Sequence, residues 1–159
     1  MGVRGVWNDM NEPASFKGPL PDDVQFADED DTAILHKDAH NIYGHCMAMA
    51  TKDGWLKYDG RRPFIITRAA YAGTQRYSLV WTGDNQSIWA HLQMAIPQLC
   101  NLGLSGFSYA GTDVGGFGAD TTKELLARWV QVGCLSPFLE TIVHRAREDR
   151  SRGSLIRSF

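Results

Sequence analysis

Short apolar segments that alternate with helical patterns limit the possible folds of this chain more than any other feature of its sequence. The apolar segments are residues 3–7, 62–67, 78–81 and 106–110, and the helical patterns cover residues 36–53, 87–102 and 121–134. Strands that alternate with helices favour a parallel sheet joined by crossover helices. We therefore predict an α/β chain in which four parallel strands form half of a (β/α)8 barrel.

Charge and composition exclude several classes of partner. The 159 residues carry a formal charge of −2, so nothing favours binding to nucleic acid or to an anionic membrane. No apolar run approaches the roughly 20 residues of a membrane-spanning helix. The first residues lack the apolar region of a signal peptide, and we expect a cytoplasmic location. Cys46, Cys100 and Cys134 lack metal-ligand spacing and lie in apolar helical segments, which predicts buried free thiols.

Charged side chains stand at the ends of the predicted strands. Asp9, Asp84 and Asp113 each fall just after one, and so does Arg68. The carboxyl ends of the strands form the active-site face of a (β/α)8 barrel. Cleavage of a glycosidic bond needs two facing carboxylates, one at the anomeric carbon and one that protonates the leaving oxygen. A separation of about 5–5.5 Å gives retention through a covalent intermediate. The sequence therefore predicts a glycosidase site.

Three other patterns in the sequence do not indicate a functional site. His36 and His40 have the spacing of a zinc motif, but Lys37 stands where that motif needs Glu. Residues 115–118 are glycine-rich but lack the Lys and Ser/Thr of a phosphate-binding loop. The acidic run at residues 28–31 is typical of a solvated loop. We predict no metal and no cofactor.

Three motifs in order identify a family resemblance. They are Trp7-Asn8-Asp9-Met10-Asn11-Glu12-Pro13, then Arg68 to Gly73 leading to Trp81-Thr82-Gly83-Asp84-Asn85, and finally Gly111-Thr112-Asp113-Val114-Gly115-Gly116-Phe117. Together they resemble glycoside hydrolase family 31, the α-glucosidase and α-xylosidase family, over residues 2–138. The resemblance implies strands four to seven of the barrel and a retaining enzyme that releases terminal α-linked glucose from oligosaccharides. An α-xylosidase is the alternative within the family.

The resemblance also implies roles for individual residues. Asp9 is expected to be the nucleophile, Asp84 the general acid/base, and Glu12 a nearby carboxylate that orients the strand end. The expected substrate-binding residues are Arg68 and Asp113, which contact sugar hydroxyls, and Met10, Trp81 and Phe117, which form apolar walls. Arg68 is also expected to lower the pKa of a neighbouring carboxylate.

The sequence departs from the family pattern after Phe138. The family continues with Arg-Asn-His, whereas this chain continues with Leu139-Glu140-Thr141-Ile142-Val143-His144 and a basic tail. We predict a partial catalytic barrel at residues 1–138 and an atypical tail at residues 139–159. Our hypothesis is a frameshift, because the codons CTC-GAA-ACC-ATA-GTG for residues 139–143, read from their third base, encode Arg-Asn-His-Ser. Coding DNA that restores no family segment in that frame would refute it.

The first three strands of the family would precede Met1. Barrel strands at an open edge leave backbone groups unpaired, so we expect the chain alone to be poorly stable and inactive. The alternative from another class is a non-catalytic carbohydrate-binding or remnant protein.

Overall fold

A parallel five-stranded sheet with helices between its strands makes up most of the fold. The computed structural model describes residues 2–28, 30 and 32–140. Its strands are β1 (Gly5–Asn8), β2 (Gln25–Ala27), β3 (Ala33–Leu35), β4 (Phe64–Thr67), β5 (Leu79–Trp81), β6 (Ala110–Asp113) and β7 (Phe138–Glu140). Its helices are α1 (His36–Ala39), α2 (Tyr43–Asp59), α3 (Trp89–Leu104) and α4 (Lys123–Cys134). The sheet has the order β1-β4-β5-β6-β7, and all of its pairs are parallel.

This topology confirms the predicted α/β class and partial barrel. Helices α2, α3 and α4 follow β1, β5 and β6 along the chain, and only a 3-10 turn at Thr74–Arg76 interrupts the connection from β4 to β5. The predicted number of strands was wrong, because the described residues contain a fifth parallel strand, β7. That strand includes the first two residues of the predicted tail. The rest of the tail, residues 141–159, and the frameshift hypothesis for it lie outside the described residues.

The position of β6 was also predicted wrongly. The apolar residues Phe107 and Tyr109 indicated a strand over residues 106–110, but the strand runs from Ala110 to Asp113. All four of its residues are buried, and a buried parallel strand needs no alternation of polar and apolar residues. Its small residues Gly111 and Thr112 gave no strong strand signal. The shift makes Asp113 the last residue of the strand.

A small antiparallel hairpin lies within the segment that was predicted to be a loop. Strands β2 and β3 pair over three residues each, with Phe26 opposite Ile34. Asp28 and Asp30 lie at its turn and are exposed, as expected of a solvated acidic run. Strands of three residues are too short for a periodic signal to identify.

Helix α2 packs tightly against the loops that follow β1 and β4. A Cβ atom at Gly44 would lie 2.5 Å from the Cβ of Ala69 and 2.9 Å from the carbonyl oxygen of Asn11. Ala48, one turn later, is also buried. Gly44 therefore lets the helix approach both loops closely. This contact holds the ends of β1 and β4 together.

The cysteines do not lie in the core. All three are exposed free thiols, which corrects the expectation that they are buried. The buried positions of α2 are Gly44 and Ala48, and Cys46 lies halfway between them on the other side of the helix. Cys134 directly follows the buried Gly133 and falls outside the buried stripe of α4. An apolar helical context did not identify the buried face.

Two apolar clusters support the sheet. Trp129, Leu125 and Val114 pack with Leu92 and Ala95 between α3, α4 and the end of β6. Ile66, Leu79 and Trp81 form a second cluster with the partly buried Phe138. Helix α4 begins at Lys123, two residues after the predicted start, because the hydroxyl of Thr122 accepts a hydrogen bond from the Leu125 N–H at 3.2 Å and caps the helix. In the described part of the chain no helix is long and apolar enough to span a membrane.

Candidate active site

The first half of the site arises from the alignment of β1 with β4. Asn8 lies opposite Thr67 in the parallel register, and the Arg68 N–H donates to the Asn8 carbonyl at 3.1 Å. Asp9 and Arg68, the next residue on each strand, therefore leave the sheet side by side. The guanidinium Nη1 of Arg68 lies 3.0 Å from Oδ1 of Asp9.

Arg68 contacts three carboxylates at this edge of the sheet. Its Nε and Nη2 donate to the two carboxylate oxygens of Glu12, at 2.6 and 3.2 Å. Its Nη2 also lies 2.8 Å from the sulfur of Met10, and its Nη1 lies 3.8 Å from Oδ2 of Asp84. The structure thus gathers four of the other seven predicted site residues around the Arg68 guanidinium.

The bidentate contact between Arg68 and Glu12 shifts the pKa of each side chain so that its charged form is favoured. The hydrogen bond from Arg68 holds the pKa of Glu12 below its usual value, against a smaller opposing effect of burial. The same hydrogen bond raises the pKa of Arg68. Glu12 is therefore an ionised partner that fixes the guanidinium in place. Such planar two-point pairs have a defined geometry.

Asp9 and Asp84 lie on the same guanidinium nitrogen. Asp9 directly follows β1, whereas Asp84 lies in the loop after β5, and each side chain is half exposed, at 50% and 49%. The contacts at 3.0 and 3.8 Å to Nη1 limit the separation of the nearest Asp9 and Asp84 oxygens to the sum of the two distances. That limit lies slightly above about 6.5 Å, the lower bound for the carboxyl groups of inverting glycosidases, so it includes the roughly 5–5.5 Å of retaining ones. Both carboxylates remain accessible to a ligand.

Asp113 is buried rather than at the surface. The residue is fully buried at the end of β6, and neither carboxylate oxygen has a hydrogen-bond partner among the described residues. Burial, with the negative charges of Asp84 and Asp9, raises the pKa of Asp113 to about 7. The expected contact of Asp113 with a sugar hydroxyl stays a prediction.

The predicted apolar walls differ in exposure. Met10 is 39% exposed beside Arg68, and Phe117 is partly buried in the loop after β6. Trp81 is only 4% exposed and packs edge-on against Trp7, with ring centroids 4.8 Å apart. Arg68 and Trp81 also line a cavity of about 490 Å³ together with Tyr71 and Phe107. An aromatic cavity beside a guanidinium offers both an apolar surface and hydrogen-bond donors.

Two asparagines that the sequence analysis did not single out hold the site together. Asn11 is fully buried, donates from Nδ2 to the Thr67 hydroxyl at 2.9 Å, and accepts from the Ala69 N–H at 3.0 Å. Asn85, next to Asp84, bonds to Thr112 and to the loop that follows it. Their place inside the motifs was the only sequence signal for them. The described residues contain no cluster of three or more His, Cys, Asp or Glu side chains that could hold a metal ion.

Comparisons with known proteins show which family this chain belongs to. Residues 1–154 match the family described as glycosyl hydrolases family 31 TIM-barrel domain. Alpha-glucosidase 2 of Bacillus thermoamyloliquefaciens is 50% identical over 140 residues, which cover 87% of this chain and 18% of that protein. Neutral alpha-glucosidase AB of Homo sapiens is 46% identical over 145 residues, with 87% of this chain and 15% of that protein covered.

Solved structures show the same relationship. The crystal structure of an ER glucosidase II heterodimeric complex has a TM-score of 0.79 and 41% identity, and the match covers 92% of this chain and 16% of that one. The family 31 alpha-glucosidase from Bacteroides thetaiotaomicron has a TM-score of 0.72 and 38% identity, with 94% and 24% covered. The chain spans less than a quarter of the length of these proteins. It belongs to glycosyl hydrolase family 31 and carries part of the TIM-barrel domain of that family.

Proposed function

We propose that this chain carries the catalytic residues of a retaining α-glucosidase that releases terminal α-linked glucose from oligosaccharides. The observation that carries this proposal is the placement of Asp9 and Asp84 on one guanidinium nitrogen of Arg68, at the carboxyl ends of two barrel strands. The names of its relatives, alpha-glucosidase 2 and neutral alpha-glucosidase AB, support the choice of substrate.

In the proposed mechanism the two carboxylates act in two steps. The Asp9 carboxylate attacks the anomeric carbon while Asp84 gives its proton to the glycosidic oxygen, so that the C–O bond breaks and the sugar becomes an ester of Asp9. Asp84, now ionised, then takes a proton from a water molecule that attacks the same carbon. The ester bond to Asp9 breaks, and glucose leaves with its original configuration.

The remaining predicted residues support these two. Glu12 holds Arg68 through two hydrogen bonds, and Arg68 places its positive charge 3.0 Å from Asp9, the proposed nucleophile. Met10, Trp81 and Phe117 are proposed as the apolar walls of the sugar site. Asp113 is proposed to bind a sugar hydroxyl, as the family resemblance implies.

Covalent labelling of Asp9 tests the assignment directly. A cyclitol epoxide of α-glucose configuration should form an ester with Asp9 when residues 1–138 stand in a complete family 31 barrel, and mass spectrometry of the peptides locates that ester. The label should vanish in Asp9→Asn and persist in Asp38→Asn, which changes an exposed carboxylate of α1. A label on another carboxylate would contradict the assignment of the nucleophile.

A chimera separates the chemistry of the site from the stability of the isolated chain. Residues 1–138 would replace the matching segment of alpha-glucosidase 2 from Bacillus thermoamyloliquefaciens, which is 50% identical. We expect turnover of an aryl α-glucoside that Asp9→Asn or Asp84→Asn abolishes. Faster turnover of the matching α-xyloside would favour the α-xylosidase alternative, and no turnover of either would favour a non-catalytic remnant.

A further inference from the structure

The position of Asp84 requires an explanation, because little holds its side chain. Arg68, at 3.8 Å, is its only ion-pair partner among the described residues. The preceding residue, Gly83, has a φ of 83°, in the left-handed region that favours glycine. Asp84 itself lies in a loop, two residues after the last hydrogen bond of β5 to its neighbour, which joins the Thr82 N–H to the Gly111 carbonyl at 3.0 Å. Neither the strand nor the carboxylate contact fixes the residue.

The next residue, Asn85, has contacts of the opposite kind. Its Nδ2 donates to the Thr112 hydroxyl at 2.8 Å and to the Asp113 carbonyl at 3.1 Å, at the end of β6. Its Oδ1 accepts from the Phe117 N–H at 3.2 Å. Its backbone carbonyl accepts from the N–H groups of Phe117 and Gly118, at 2.9 and 3.0 Å. Both ends of the Asn85 side-chain amide, and its backbone carbonyl, are therefore hydrogen-bonded to residues that lie 27 to 33 positions later in the sequence.

A second set of contacts joins the same two loops without Asn85. The Ser87 N–H donates to the Gly118 carbonyl at 2.7 Å, and its hydroxyl donates to the Gly115 carbonyl at 2.6 Å. Gly116 packs so closely on this residue that a Cβ atom would lie 2.5 Å from the Ser87 nitrogen. Ser87 thus contributes to the stability of the loops but lies three residues from Asp84. It provides a matched control.

We infer that Asn85 is a positioning residue that holds Asp84 in place for proton transfer and Phe117 in place as a wall of the sugar site. This inference rests on the proposed function. Consecutive Cα atoms are about 3.8 Å apart, so a residue fixed at position 85 restricts where the neighbouring carboxylate can lie. Side-chain and backbone bonds from one residue to both Asp113 and Phe117 also couple the two loops. Its hydrogen bonds in the described part of the chain join it to residues 112–118, and we infer that it acts only through these neighbours.

Two labelling reagents distinguish positioning of an acid from general stability. Opening of a cyclitol epoxide by Asp9 breaks a C–O bond whose oxygen must take a proton from Asp84. Displacement of fluoride from 5-fluoro-α-glucosyl fluoride by Asp9 breaks a C–F bond, and the fluoride leaves as an anion without that proton. A misplaced acid therefore slows labelling by the epoxide and leaves labelling by the fluoride much less affected.

The test compares Asn85→Ala with Ser87→Ala in the 159-residue chain and in the chimera. General acid catalysis contributes roughly 10²–10⁴-fold, so Asn85→Ala should slow epoxide labelling at least about tenfold more than fluoride labelling. Ser87→Ala should change both rates by the same factor. Equal slowing of both reactions by Asn85→Ala would overturn the inference. A chimera that neither reagent labels would refute the proposed function, and the inference would fall with it.

Amide hydrogen exchange tests the contacts of Asn85 directly, without a labelling reaction. In Asn85→Ala the amide protons of Phe117 and Gly118 should exchange with solvent roughly tenfold faster, as the loss of side-chain hydrogen bonds implies. Gln86→Ala, a change at the exposed neighbouring residue, should leave their exchange rates unchanged. Unchanged exchange in Asn85→Ala would show that Asn85 does not hold the loop, and would overturn the inference even if labelling slowed.

Discussion

Glu12 and Arg68 form the closest charged contact in the described part of the site. The pair is only partly desolvated, because 38% of the Glu12 side chain is exposed, and solvent screens it. We expect Glu12→Gln to lower the free energy of unfolding at pH 7 by about 1 kcal/mol. Urea unfolding measures it, with Asp38→Asn as the control that removes an exposed carboxylate.

The pH dependence of that loss has a definite sign. Glu12 has a lowered pKa in the folded chain, so its contribution is complete above its unfolded pKa of about 4.3. The difference between Glu12→Gln and the parent should therefore shrink as the pH falls from about 4.3 through the folded pKa. A difference that grows in this range would contradict the ion pair.

Asp113 should produce the opposite pH dependence. Its pKa of about 7 in the folded chain lies above the unfolded value of about 3.9, so the folded state binds more protons between these values. Stability contributed by Asp113 is complete below about pH 4 and is lost as the pH rises through 7. At 1.36 kcal/mol per pKa unit the loss amounts to at most about 4 kcal/mol.

Asp113→Asn isolates this effect from other titrating groups. Urea unfolding of the parent and the variant between pH 5 and 8 should show a steeper decline for the parent, because the amide cannot ionise. Parallel curves would mean that Asp113 does not take up its proton on folding.

At the scale of elements, the packing of α2 depends on the absence of a side chain at Gly44. Alanine is normally favoured over glycine within a helix by about 0.5–1 kcal/mol. At Gly44 the added Cβ would meet backbone oxygens of Ala69 and Asn11 at 2.8 and 2.9 Å, which cannot move aside. We expect Gly44→Ala to destabilise the chain by about 1–3 kcal/mol.

Gly54 provides the control on the same helix. A Cβ there has nothing within 4 Å, so Gly54→Ala should raise the urea midpoint while Gly44→Ala lowers it. A rise in both midpoints would show that α2 can move away from the strand ends.

Elements were predictable where the sequence carries a periodic or local signal. Helix α4 was found from the helical pattern over residues 121–134, and its start lies two residues later, where the Thr122 hydroxyl caps the helix. Strand β6 was misplaced because its small buried residues, such as Gly111 and Thr112, carry no strong local strand signal. The acids of the site were found because they follow strands within recognisable motifs. Asn85 was missed because its partners, such as Thr112, are distant in sequence and become neighbours only in the folded sheet.

At the scale of the whole molecule, the sheet has two open sides in the described part of the chain. Strands β1 and β7 each pair with one neighbour only. Large apolar side chains are also exposed, including Leu135 at 90% and Trp89 at 51%. Unpaired strand edges and apolar surface both promote association. We expect the purified chain to associate as its concentration rises, as measured by sedimentation velocity, and to bind a dye specific for apolar surface.

Variants on α3 show whether apolar surface drives this association. Trp89→Glu should weaken it, whereas Asn101→Glu, which adds the same charge at an exposed polar position, should have a smaller effect. A monodisperse parent that binds no dye would contradict the prediction.

The pKa of the buried Asp113 carboxyl group should also respond to the state of Asp9 during the reaction. The charges of Asp9 and Asp84 both raise the pKa of Asp113. In the proposed mechanism Asp9 becomes a neutral ester, and one of these two charges disappears. The pKa of Asp113 must then fall, so near neutral pH it releases part of a proton to solvent. Proton release from Asp113 to the solution would in this way show whether the nucleophile is free or carries a sugar.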